Sequence, residues 1–362
     1  HSRQLWVQNE HTYKMPDLVD RRSFNDLTAT VEPKPKSPKA ALASINVHAG
    51  LRVELVAAEP LVQDPIAIAW GADGKLWVVE MRDYPLGMNG KGKPGSRVKF
   101  LEDTDGDGKY DKATVFLDKL NFATGVMPWR DGALVTAAPL VFFAKDTNGD
   151  GKADIRETLY DGFGQGNKQH RLNGLQWGLD NWIHCANGDS GGLIKNAKTG
   201  EIVDVSGRDF RIRADEGALD TESGNSQFGI CFDDWGSRFG CANWLPVWHY
   251  ALDDLYMRRN PHFSPGNPRE YIVAPEKLYP TSRTLARFND FEYANKATST
   301  CGIEIYRDTI LGPEFYGNSF VCEPVHDLVL RTVLEPNGVT FSGHRAAGEA
   351  QSEFLSSHDN WF

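Results

Sequence analysis

The segment DTNGDGKADIRE puts oxygen-bearing side chains at positions 1, 3, 5, 9 and 12 of a loop: Asp146, Asn148, Asp150, Asp154 and Glu157. This is the ligand spacing of an EF-hand-type calcium loop. The glycine at position 6, here Gly151, permits the sharp bend, Lys152 offers its carbonyl, and the final Glu closes on the ion with both oxygens. A second segment, DTDGDGKYDKAT, supplies Asp103, Asp105, Asp107 and Asp111 with Gly108 and the carbonyl of Lys109, but has Thr114 where the closing carboxylate belongs. It is expected to bind more weakly. Solvated hairpin tips share this Asp-Gly composition, yet the full ligand set favours calcium. The flanking runs RVKFL and VFFAK read as strands, so both loops are expected in hairpins with a structural role.

The other polar constellation is GFGQGNKQHRLNGLQWGLDNWIHCANGDSGG, residues 162 to 192. His170 precedes the apolar strand NGLQW and Asp189 follows the strand WIHCANG, so two adjacent strands would bring both to one edge. An imidazole oriented by a carboxylate is the arrangement of a general base. A histidine in a polar loop is more often a surface or hydrogen-bonding residue, and that reading stands beside the catalytic one.

The elements that must position these groups are short. From Val47 the chain alternates, with LRVELVAA and PIAIAW of strand length and composition. A turn with Asp and Gly or Asn, then an apolar strand, recurs in ADGKLWVVE, RDGALVTAA, LDNWIHCAN and DDWGSRFGCAN, with a looser copy in FYGNSFVCEPVHDLVLR. The spacing of roughly 50 to 60 residues is that of a propeller blade. Each unit is expected to supply a turn and an inner strand of a four-stranded sheet. Helical periodicity is confined to the neighbourhoods of DLYMRR and AGEAQSEFL. The expected fold is therefore all-β, a six-bladed β-propeller over residues 46 to 362. Residues 1 to 45, with the run VEPKPKSPKA, are expected as an arm or linker. The chain stops at SSHDNWF without an evident closing strand, so a sixth blade is expected to be truncated or to lie beyond Phe362.

Composition narrows the partners. The formal charge is −10 with 35 Gly and 19 Pro, which disfavours a phosphate-binding basic face and hence nucleic acid. The longest apolar run, Ala133 to Ala144, contains Pro139 and is too short to span a bilayer. The chain begins at His1 with no leader pattern, as expected of a processed chain or a fragment. Its five cysteines form no CxxC and no CxxCH, so neither zinc nor covalent haem is expected. Five buried thiols are one reading; disulfides Cys301–Cys322 and Cys231–Cys241 are the other, and they fit an oxidising compartment.

The run HRLNGLQWGLDNWIHCANGD resembles the blade of soluble quinoprotein glucose dehydrogenases that carries their catalytic histidine. The resemblance implies that His170 is the hydride-abstracting base and Asp189 its orienting carboxylate. Over residues 47 to 362 the chain resembles the propeller of the membrane-bound dehydrogenase, haem-binding or sorbosone dehydrogenase-like proteins of planctomycetes and verrucomicrobia. The stretches that carry this are VELVAAEPLVQDPIAIAW, LWVVEMRDYP, LEDTDGDGKYDKATVFLD, DTNGDGKADIRETLYDGFG, QFGICFDDWGSRFGCAN and FVCEPVHDLV. In such proteins helical repeats and a cytochrome c domain often follow, which makes a cytochrome c the implied electron acceptor.

The resemblance also implies pyrroloquinoline quinone at the channel mouth, with Arg82, Asn173, Asn225, Gln227 and Arg238 orienting cofactor or substrate. The family's Arg before Asn225 is Gly224 here. The expected activity is oxidation of a carbohydrate or small polyol in the periplasm or outside the cell, with calcium stabilising the fold. The alternatives are a calcium-stabilised propeller that binds carbohydrate or protein without catalysis, or a polysaccharide lyase or hydrolase using the same histidine. Trp235, Trp244 and Trp248 are the candidate sugar platforms. His249 and the pair Glu323 and His326 are expected to be structural.

Overall fold

The computed structural model describes residues 35–260, 262, 267–272, 277–282 and 295–359. A helix, α1 (Pro38–Leu42), is capped by Ser37 and followed by strand β1 (Ile45–Val47). The first sheet is β2 (Pro65–Trp70), β3 (Leu76–Glu80), β4 (Ser96–Glu102) and β5 (Lys112–Leu120) in sequence order. The second is β6 (Gly125–Trp129), β7 (Gly132–Ala137), β8 (Leu140–Lys145) and β9 (Ile155–Phe163). The third is β10 (Asn173–Trp177) and β11 (Ile183–Ala186) with β14 (Asp209–Arg213) and β15 (Ala218–Glu222). Between β11 and β14 the chain crosses to the outer edge of the second sheet, adding β12 (Gly192–Asn196) and β13 (Ile202–Asp204). The fourth sheet is β16 (Ile230–Phe232), β17 (Arg238–Ala242), β18 (Leu245–Tyr250) and β19 (Arg269–Tyr271), with a short helix α2 (Asp254–Arg259) after β18. The fifth is β20 (Cys301–Ile305), β21 (Ser319–Glu323) and β22 (Leu328–Asn337), with β23 (Thr340–His344) paired to β22. Strand β24 (Leu355–Ser357) also pairs with β22, and β1 returns from the start of the chain to pair with β24.

The architecture is an all-β propeller of five sheets among the described residues, not the six expected. The inner strands β2, β6, β10, β16 and β20 neighbour one another in that order. The sequence repeat marks the turn between the first and second strands, at Asp73, Asp131, Asp180 and Asp234. The apolar strand after each turn is therefore the second of its sheet, one position further out than expected. Where a further sheet would pack on the first, the extended segment before β2 takes its place: Ala57, Leu61 and Val62 cover Leu76, Val78 and Leu101.

Alternation in each strand sends one set of side chains to each face, and the seams between sheets are the core. Trp77, Phe100 and Phe116 meet Val135 and Phe142 between the first and second sheets. Leu134 and Tyr160 meet Ile183 and Phe210 between the second and third. Phe239 and Val247 meet Ile303 and Val321 between the fourth and fifth. The seam between the third and fourth is ionic instead. Glu222 of β15 takes His184 Nδ1 and Arg238 Nη1, each at 2.7 Å, and all three side chains are buried. Isolated charges would not survive there, so the partners must hold one another.

The part of the expected N-terminal arm that can be described is a helix and a strand built into the fifth sheet; residues 1–34 lie outside the described residues. No described helix is long and apolar enough to cross a membrane.

Candidate functional site

Each sheet's inner strand runs in the same direction, so the residues before it and those after the second strand gather on one rim. In the third sheet these are His170 and Asp189, and the structure brings them together with His170 Nδ1 at 3.4 Å from Asp189 Oδ2. Both are partly open to solvent. Asp189 sits in the left-handed region at φ 64°, between Gly188 and Ser190, which turns its carboxylate back over the rim. Its other oxygen accepts Asn225 Nδ2 at 2.5 Å.

The fourth sheet supplies the next contact. Gln227, just before β16, puts its Nε2 at 2.7 Å from His170 Nε2. The backbone N–H of Asn243 donates to Gln227 Oε1 at 2.8 Å. That bond fixes which end of the amide faces the imidazole. The same Gln227 Nε2 lies 3.4 Å from His170 Nδ1, so the amide nitrogen sits over the ring, nearer to Nε2.

The network continues to the fifth sheet. Thr300 N–H donates to Asn243 O at 3.1 Å. Thr298 and Ser299 N–H groups donate to Glu323 Oε1 at 3.1 and 2.8 Å. Glu323 Oε2 takes His326 Nδ1 at 2.6 Å. The buried Glu323 is held below the usual carboxylate range: burial opposes its charge, and the His326 and backbone hydrogen bonds outweigh it. His326 makes the structural hydrogen bond expected, and its buried Nε2 has no hydrogen-bond partner among the described residues.

The remaining expected site residues divide sharply. Asn173 is buried and spent on the backbone, donating to Arg171 O and Gln227 O and accepting from Gly229 N. Arg238 begins β17 at the opposite end of the strand from Asn243, locked onto Glu222 and over the Tyr250 ring at 4.0 Å; it does not belong to this group. Arg82 follows β3, half-buried on the same rim. Two residues on, Tyr84 OH accepts Gln169 Nε2 at 2.7 Å, tying that turn to the His170 loop.

Arg171 was not among the expected residues. It is 4% exposed, Nη2 donates to Gln165 O at 2.9 Å, and Nε and Nη1 have no hydrogen-bond partner among the described residues. It stands with Lys168 over the Phe122 ring, at 5.0 and 5.2 Å. Only its place directly after His170 could have drawn attention to it. The absence of an arginine at Gly224 has a steric reason: any Cβ there would strike the Tyr250 ring.

Of the aromatic candidates, Trp248 is buried, and Trp235 lies in the β16–β17 turn, at the far end of the sheet from Gln227. Trp244, half exposed, directly follows Asn243 and meets Tyr271 edge-on at 5.6 Å. His249 is buried in the fourth–fifth seam, against Phe239 and Phe341.

The two acidic loops share one geometry. Asp103 accepts N–H groups from Gly106 and Gly108, and Asp146 from Gly149 and Gly151. Asp105 and Asp107 repeat the bonds of Asn148 and Asp150. Asp111 and Asp154 each take the N–H and hydroxyl of a threonine, Thr104 and Thr147. The backbone bonds keep Asp103 and Asp146 acidic despite some desolvation. Ligand oxygens of Asp103, Asp105 and Asp107 lie within 4.8 Å of one another, the convergence a divalent cation needs. Lys109 and Lys152 follow in each turn. Glu157 enters β9 opposite Phe143 and is exposed. Thr114 is explained by packing: a Cβ on Gly151 would lie 2.7 Å from its methyl, and Ala153 N–H donates to Phe116 O. The later loop is thus docked on β5 of the first sheet.

All five cysteines are free. Cys301 and Cys322 face each other across β20 and β21, whereas Cys231 faces Phe239 and is only diagonal to Cys241.

Fold and rim together define a β-propeller with an imidazole–carboxylate pair on one rim. The chain belongs to the family described as a domain of unknown function, DUF7133, which matches residues 37–362. No curated protein matches it. Among solved structures it is similar to the pyrroloquinoline quinone (PQQ) domain of pyranose dehydrogenase from Coprinopsis cinerea, in its holo form, at 14% identity and TM-score 0.48, covering 87% of each chain. It is also similar to the PQQ-bound aldose sugar dehydrogenase of Streptomyces coelicolor, at 13% and 0.43, covering 84% of each. The virginiamycin B lyase of Staphylococcus aureus is similar at 12% and 0.41, covering 80% of this chain and 73% of that one. Likenesses this distant do not transfer an activity.

Proposed function

We propose that this propeller is a quinone-dependent dehydrogenase of a sugar or related alcohol, stabilised by calcium, with His170 as general base. One observation carries the reading: the Asp189 carboxylate stands 3.4 Å from His170 Nδ1 on a partly open rim, which leaves the proton-accepting role to Nε2. A substrate hydroxyl that displaces the Gln227 amide would donate its proton to that nitrogen, and Asp189 would stabilise the imidazolium. Asn225 keeps Asp189 turned toward the ring.

The donor set fits an anionic planar cofactor such as pyrroloquinoline quinone. Arg171, the residue after His170, has two guanidinium nitrogens without a hydrogen-bond partner among the described residues; with Lys168 and Arg82 it would hold carboxylates, replacing the cation that Tyr250 bars from position 224. When bound, the quinone supplies the two-electron acceptor. Trp244 offers a face for a sugar ring. The acidic loops, with Asp103, Asp105, Asp107, Asp111 and Asp146, Asn148, Asp150, Asp154 as ligands, would staple the first two sheets. The sequence resemblance to the dehydrogenase-like propellers of planctomycetes and verrucomicrobia points the same way. That resemblance would make the protein an exported one, with a cytochrome c as its electron acceptor.

A binding role without catalysis is favoured by one feature, the Gln227 amide already seated on His170 Nε2. Dye reduction separates the two. The calcium- and quinone-loaded protein should reduce an artificial acceptor with at least one member of an aldose and polyol panel. Ligand binding without any reduction would support the binding role instead.

A further inference from the structure

Cys301 opens β20 and Cys322 lies in β21 as its direct cross-strand partner. Facing residues of an antiparallel pair project to the same side, with Cα atoms about 4.5 or 5.5 Å apart according to the type of pair. Both separations fall within the roughly 4.4–6.8 Å that a disulfide spans. The Cβ atoms, about 4.5–5.5 Å apart in such pairs, need only close slightly. A register irregularity begins directly after Cys301, and Gly302 there has φ +64°, so that end of the strand can shift.

The same test rejects a bond between Cys231 and Cys241. Cys241 is diagonal to Cys231, at about 7–8 Å by strand geometry, which is too far. Cys185 faces Phe210 and is buried. Accessibility agrees: Cys322 is exposed and Cys301 half-buried, while the other three thiols are buried.

We propose that Cys301 and Cys322 are a redox modification site that closes into a cross-strand disulfide by exchange with a small-molecule disulfide. The Cys322 thiolate attacks one sulfur of, for instance, oxidised glutathione, forming a mixed disulfide and releasing one thiol. Cys301, deprotonated in turn, attacks the Cys322 sulfur and releases the second. The protein pair gives up two electrons and two protons, and the small disulfide becomes two thiols. Burial pushes the Cys301 thiol up to about 12, with the neighbouring Cys322 adding to it; Cys322, though exposed as a residue, has its sulfur desolvated enough to be raised as well. Closure is therefore slow near neutrality and faster in alkali.

The bond pins the inner hairpin of the fifth sheet. Cys301 adjoins Thr300, and Cys322 adjoins Glu323, the two residues through which this sheet joins the rim network. Cys241 is the competitor: its Sγ donates to Phe228 O at 3.3 Å, and that same carbonyl accepts Gly302 N–H. Exchange onto Cys241 would join two sheets instead of tying one hairpin.

The test is to treat the full chain with oxidised glutathione at about pH 8.5, near the ordinary thiol pKa, then unfold, alkylate and map peptides without reduction. The expected result is one cross-linked pair, Cys301 with Cys322, with the other three thiols alkylated. Reduction should then lower the Tm by on the order of 5 °C. Cys322→Ser should abolish the cross-link and the reductant dependence, and Cys241→Ser should leave both. Five alkylated thiols, a cross-link to Cys241, or a glutathione adduct on Cys322 that never resolves would each overturn the proposal, and mapping the unmutated chain decides even if a variant fails to fold.

Discussion

His170 stands among groups that sequence spacing could place only in part. Asp189 was legible because it ends the strand after the histidine. Gln227 was legible as a polar residue before another inner strand. The role of Gln227 was not legible, since it depends on the Asn243 N–H that fixes the amide's orientation. On the proposed function, His170→Ala should lower dye reduction by at least about 100-fold, the lower end of what a general base contributes. Asp189→Asn should lower kcat while sparing quinone affinity, checked by steady-state kinetics beside a cofactor titration. His184 lay unnoticed in an apolar strand. Burial opposes its charge, yet hydrogen bonds to Asp180 and Glu222 raise its pKa. A group whose pKa rises on folding stabilises fully below its unfolded value, about 6.5, and that contribution is lost as pH climbs through the folded value. Urea midpoints should therefore fall from about pH 6.5 upward, and His184→Gln should flatten that limb. An unchanged slope in the variant would remove His184 from the account.

At the scale of elements, the acidic loops were the most legible part of the chain, because Asp-Gly chemistry is local and needs no tertiary partner. Their repeated hydrogen-bond pattern and the two glycines at loop position 6, Gly108 and Gly151, at φ +85° and +83°, follow from spacing alone. What spacing could not show is that the later loop docks on β5, with Thr114 filling the room beside Gly151. Calcium bound there would stabilise two sheets at once. Chelation with EDTA should lower the Tm, and saturating calcium at 100 times its Kd should restore about 2.7 kcal/mol per independent site. Asp146→Ala should remove more of the calcium response than Asp111→Ala, measured by calorimetric titration. Equal losses would contradict the ranking of the loops.

For the whole molecule, the repeat of turn plus strand disclosed the propeller and even its five units, but not which strand of each sheet is innermost. That depends on how sheets pack, a non-local matter. The same limit produced the expectation of six sheets: a sixth unit was inferred from blade number, whereas the first sheet's open face is covered by Ala57, Leu61 and Val62. Leu61→Ala should cost about 2 kcal/mol, the low end for a large apolar truncation since Leu61 is only partly buried, read from denaturant midpoints.

The central claim joins the rim to chemistry, and a single paired titration tests it most directly. Quinone binding and dye reduction should be followed together in the calcium-loaded protein and in its His170→Ala variant. The account predicts that both bind pyrroloquinoline quinone with similar affinity while only the unmutated protein turns over a sugar or polyol. Failure of the unmutated protein to bind the quinone, or undiminished turnover in the variant, would contradict it.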